Sequence, residues 1–107
     1  MSLSQDDITH ALELFAGLGD LSTRKMMGGL CLYHDGTIFA IIHPNGGLLI
    51  KGAGAFKVEL EDMGLERWHY LRKDGSPTNM PYWHLPDSAL DDPDEACELA
   101  RRALSHL

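Results

Sequence analysis

RKMMGGLCLYHDGTIFAIIHPNGGLLIK, residues 24–51, decides the fold. Three strand-like apolar runs surround two tight turns, which predicts strands over roughly 26–34, 37–43 and 47–52. His34-Asp35-Gly36-Thr37 joins the first pair, because Asp-Gly supplies the positive φ angles of a two-residue hairpin turn. Pro44-Asn45-Gly46-Gly47 makes the next reversal, while Gly28-Gly29 reads as a bulge or kink within the first strand. The run Ile38-Phe39-Ala40-Ile41-Ile42 is apolar on both alternating faces, with Ile38, Ala40 and Ile42 on one and Phe39 and Ile41 on the other. Such a strand must be covered on both sides. Helices are expected to cover one face well and the other poorly, which points to a homodimer that buries sheet residues or the edge near Tyr82.

Helices flank this sheet. Ser4-x-x-Asp7 forms a capping-box-like start, and Ile8, Ala11, Leu12, Phe15 and Leu18 repeat at helical spacing until Gly17 and Gly19. A short second helix is read over roughly 54–63, with Phe56, Leu60 and Met63 on one stripe and Gly64 past its end. Trp68–Leu71 and roughly 78–84 form a hairpin about Asp74-Gly75-Ser76-Pro77, and Pro81 belongs at an edge or a bulge. Asp92, Pro93, Asp94 and Glu95 start the last helix; Ala96, Leu99, Ala100 and Ala103 give it a small-residue face. The expected fold is α+β and two-layered: a small antiparallel sheet of about five strands with three helices, in a single domain over residues 1–107.

The chain has 107 residues, 44% hydrophobic and 23% charged, as in ordinary globular domains. No apolar run approaches the ~20 residues of a membrane helix, and the acidic N-terminus lacks the features of a signal peptide, so the expected location is the cytoplasm. Reduced, partly buried Cys31 and Cys97 are preferred there over a disulfide. The net charge is −7, from 9 basic and 16 acidic side chains. Residues 20–57 hold four basic residues against two acids, and residues 58–107 five against eleven. Nucleic-acid affinity comes largely from phosphate neutralisation, and the pairs Arg24-Lys25 and Arg72-Lys73 supply little of it, so direct nucleic-acid binding is not expected.

No constellation demands a particular chemistry. The six histidines (His10, His34, His43, His69, His84 and His106) form no metal-ligand spacing, and neither cysteine has a zinc-ribbon partner. His69 and His84 read as a solvated cross-strand pair. The glycine pairs do not open a helix as a phosphate cradle requires, and there is no G-x-S-x-G elbow. No catalytic residue, cofactor or metal site is therefore assigned. Tyr82 and Trp83 point to opposite faces of their strand, which would bring one toward solvent across the hairpin from Arg72 and Lys73. With Arg24 and Lys25 these form the candidate interaction surface, although filling of the core by both aromatics is the commoner outcome in a small chain.

Over Leu21 to Leu104 the chain resembles the TfoX N-terminal domain family. The resemblance rests on Arg24-Lys25-Met26 with Gly28-Gly29, Tyr33-x-Asp35-Gly36, Phe39-Ala40, Leu49-x-Lys51, Tyr82-Trp83 and Asp92-Pro93. Met27 stands where the family more often has an aromatic, and Pro81 where serine is common. The resemblance implies a fold similar to secretion chaperones, often dimeric, and a relation to regulators of natural competence. Full-length members add a helical C-terminal domain with no counterpart here, and the family supplies no catalytic residues to carry over. The function so implied is a non-enzymatic, regulatory protein-interaction module with an unidentified protein partner. The alternative is a small-molecule binder or small enzyme with a pocket near Tyr82 and Trp83.

Overall fold

The computed structural model describes residues 4–26, 28–44 and 47–107. In chain order it contains α1 (Gln5–Leu14), a 3₁₀ turn (Ala16–Leu18), β1 (Leu21–Met26), β2 (Gly29–His34), β3 (Thr37–Ile42) and β4 (Leu48–Lys51). Then come α2 (Phe56–Asp62), β5 (Arg67–Leu71), β6 (Pro77–His84), α3 (Asp87–Leu90) and α4 (Pro93–Leu104). The strands form one open antiparallel sheet in the order β1-β2-β3-β4-β6-β5. The α+β reading holds, with six strands and four helices among the described residues in place of five and three. No described helix is long and apolar enough to cross a membrane.

The additional strand is β1. Gly28 (φ 86°) lies in a hairpin turn, not in a bulge of one long strand, and Met26 pairs with Gly29 across it. Met27, and Asn45-Gly46 of the next reversal, lie outside the described residues. Apolar patterning could not reveal β1, because Ser22–Met26 are all exposed on an edge strand. Asp35 (φ 47°) and Gly36 (φ 81°) make the expected turn between β2 and β3.

The helices occupy one face. The main core joins Ala11, Leu14, Phe15, Phe56, Leu60, Ala89, Ala96, Leu99, Ala100 and Ala103 to the sheet residues Leu30, Leu32, Ala40, Ile42, Leu48, Ile50 and Trp83. Two caps hold the helix layer in place. Ser4 and Asp7 form a reciprocal capping box, and the Asp92 carboxylate accepts hydrogen bonds from Asp94 N (3.0 Å) and Glu95 N (3.3 Å). Met63 does not extend the α2 stripe: the helix ends at Asp62, Met63 is 43% exposed, and Leu65 packs on the core instead.

Two irregularities decide which side chains face which layer. Leu32 pairs with Ala40 but Tyr33 with Ile38, so Phe39 is an extra residue in β3. Phe39 therefore joins Ala40 and Ile42 against the helices, meeting Phe15 edge-on at 5.1 Å, while Ile38 and Ile41 face the other way. This corrects the simple alternation expected for β3. In β6 the three residues Met80, Pro81 and Tyr82 oppose Trp68 alone, since Arg67 pairs with Trp83 and His69 with Asn79. Pro81 thus sits in a bulge, and β6 is an interior strand between β4 and β5. The hairpin register sets His69 opposite Asn79, whereas His84 pairs with Leu49, so the expected histidine pair does not form.

A second, smaller core lies on the face without helices: Cys31, Ile41, Leu49 and Tyr82, flanked by Tyr33, Ile38, Trp68 and Met80. Cys31, Ile41 and Leu49 are at most 3% exposed within the single chain. Poor cover on this face, the premise for a dimer, is therefore corrected: side chains of the β5–β6 hairpin supply the cover. Residues 85–92 take no part in it, because Leu85 and Ala89 pack on the helix side.

Trp83, fully buried, packs where β4 ends. A Cβ on Gly52 would stand 2.6 Å from Trp83 Cζ3 and 2.8 Å from Leu60 Cδ1. Gly52→Ala should therefore cost about 1–3 kcal/mol through overpacking. Urea unfolding checks this, and an unchanged midpoint would show that the indole does not sit against β4.

Candidate functional site

The helix-free face holds the site. By register, Arg24 pairs with Cys31 and Lys51 with Tyr82, so both cations stand on the same side as the small core. Met26 follows two residues after Arg24 on that side and is 41% exposed. The Cys31 thiol donates to Met26 Sδ at 3.7 Å. An apolar groove of about 430 Å³ opens here, with Met26, Ile41, His43, Pro44, Trp68 and Met80 among its lining residues. Trp68 forms one wall, edge-on to His43 at 5.3 Å and tilted on Tyr82 at 6.3 Å. Beside it, Ser22, Thr23, Arg24, Tyr33 and Gly36 line a more polar hollow of about 450 Å³.

Electrostatics divide the molecule by layer. The strands carry Arg24, Lys25, Lys51 and Arg67 and, among the described residues, no Asp or Glu. The four helices carry ten acids against Lys57, Arg101 and Arg102. Burial pushes the Cys31 thiol above its ordinary value, with Arg24 opposing, so the small core holds a protonated thiol and not an activated thiolate. Burial, reinforced by Cys31 and Tyr33, pushes the Tyr82 phenol up to about 12. Among the described residues no group of three or more His, Cys, Asp and Glu could hold a metal ion.

The six residues expected to share a surface do not share one. Trp83 is fully buried on the helix side and Tyr82 is 8% exposed, so the aromatics fill the two cores. The basic neighbour of Trp83 is Arg67, whose guanidinium lies 4.5 Å from the ring centroid and whose Nε donates to the Met80 carbonyl at 2.9 Å. Arg72 and Lys73 sit at the hairpin tip, where Arg72 N donates to the Ser76 carbonyl at 2.8 Å. They are on the opposite sheet edge from Arg24 and Lys25. Only Arg24 remains on the groove side, because Lys25 pairs with Leu30 and faces the helix layer. Trp68, Met80, Met26 and Lys51 complete the site. They come from four strands, β5, β6, β1 and β4, and share a face through the order of the sheet and the unseen strand β1, neither of which leaves a periodic signal.

The TfoX N-terminal domain family matches residues 13–107, and the chain belongs to that family. It is similar to "DNA transformation protein TfoX1" of Aliivibrio fischeri, at 26% identity over 77 residues. That match covers 68% of this chain and 36% of the relative, so the chain spans about a third of that protein's length.

The Tyr82 phenol supplies a test of the face. Its folded pKa lies above the ~10 of an unfolded tyrosine, so stability is retained below pH ~10 and falls as pH rises toward about 12. Absorbance at 295 nm should show an ionisation step near 12 that Tyr82→Phe removes. The variant should also lose stability less steeply above pH ~10. A last step near 10 would place the phenol in water.

Proposed function

We propose that this domain is a non-enzymatic, regulatory protein-interaction module that receives its partner on the helix-free face of the sheet. The observation that carries this reading is the groove beside Met26: an apolar recess kept open on a face that the chain otherwise closes for itself. Surface apolar recesses with a mixed polar rim suit macromolecular recognition. The family's relation to competence regulators is in keeping with a regulatory role, and the tyrosine and cysteine on this face are both held protonated, which suits contact better than catalysis. A small apolar ligand is the second reading, because the groove volume falls within the ~300–1,000 Å³ of ligand sites.

The two readings separate experimentally. A photo-crosslinking amino acid at Met26 should capture a protein in the native host, whereas the same group at Val58, 62% exposed on α2, should not. Equal capture from both positions, or none from Met26, would contradict the interaction reading. A low-mass adduct retained in native mass spectrometry, and lost in Trp68→Ala, would favour the ligand.

A further inference from the structure

Among the described residues β1 is hydrogen-bonded on one side only, by β2, and its residues Ser22–Met26 are exposed. An edge strand of this kind is a template for one more strand. Along the helix-free face it presents Ser22, Arg24 and Met26 in succession, at about 7 Å between alternate residues. The polar hollow lies at the Ser22–Arg24 end and the apolar groove at the Met26 end. A strand added to β1 would place alternate side chains over these two recesses in turn.

Charge selects the occupant. The strands themselves carry cations and, among the described residues, no acid, while Asp20, Asp35, Glu66 and Asp74 lie in the adjoining connections, within a chain of net charge −7. Two copies stacked sheet on sheet about a two-fold axis would set Arg24 and Lys51 against a layer of the same sign, which disfavours self-association through this face. A nucleic-acid backbone would find only a few cations in a small patch on this face and would leave the apolar groove unfilled. An acidic peptide segment with an apolar residue satisfies both recesses.

Resting on the interaction reading above, we propose that the free edge of β1 takes an extended segment of a partner protein by strand addition. In that segment an Asp or Glu sits beside Arg24, and a bulky apolar residue two positions away enters the groove between Met26 and Trp68. The main-chain ladder supplies sequence-independent affinity, and the two side chains supply the choice of partner.

The test is a random twelve-residue peptide library displayed against the folded protein. Enriched peptides should share an acid and a bulky apolar residue two positions apart. One such peptide, made synthetically, should slow amide exchange within residues 21–26 and lose binding when alternate amides are N-methylated. Arg24→Glu should weaken it by at least about tenfold, through loss of a charged contact and addition of a repulsive one. Lys25→Glu makes the same charge change on the helix-facing side of β1 and should weaken it by no more than about threefold. Enrichment of basic or acid-free peptides, failure to enrich any, equal effects of the two variants, or competition by a short DNA duplex would overturn the proposal. If Met26 crosslinks a protein while no acid–apolar peptide is enriched, the interaction reading stands and strand addition fails.

Discussion

β3 is apolar on both faces, and the helices can reach only one of them. The rest of the structure follows from how that constraint is met. The extra residue at Phe39 exchanges Ile38 for Phe39 on the helix side, so that Phe39, Ala40 and Ile42 face the helices, where there is volume to receive the ring. Only Ile38 and Ile41 are left for the opposite face. There the β6 bulge at Met80-Pro81-Tyr82 brings Trp68 and Met80 over the small core around Cys31, Ile41 and Leu49. Proline suits the bulge because it gives up a donor where the ladder is already broken. Burial at roughly 25 cal/mol per Å² is thus gained on both faces without a third layer.

This solution leaves a residue of function. Trp68 and Met80 cover the middle of the face but stop short of Met26, and the space between them is the groove. The acids are gathered on the helices, where Asp6, Asp7, Asp94 and Glu95 also favour the helix N-termini, while the strands keep cations alone among the described residues. A strongly acidic chain thus presents one modestly basic, partly apolar face. That combination is the basis of the proposed protein partner, since for a polyanion such as DNA the two basic pairs on opposite sheet edges give no continuous track.

The sequence made most of the fold legible because local signals agreed with the global arrangement. The Asp35-Gly36 turn, the Ser4 and Asp92 caps and the small-residue face of α4 each carry their own physical signature. β1 was illegible because an edge strand exposed on both faces has no apolar period, and α3 because four residues are too few to show one. The site was less legible still. Arg24 was recognised as a candidate, but Trp68, Met80 and Lys51 come from three other strands, β5, β6 and β4, whose order in the sheet no local period encodes. Trp83, the residue that looked most available, is instead the one the helix layer buries completely.

Closure of the second face depends on Trp68 folding back over it within one chain. Nuclear Overhauser spectroscopy of the protein, dilute enough to keep single chains, measures this directly. Cross-peaks are expected from the Trp68 indole to the His43 imidazole and to the Tyr82 ring, whose centroids lie 5.3 and 6.3 Å away. Absence of both, with a Trp68 side chain that tumbles freely in water, would contradict this closure and leave the face to be covered by a second molecule.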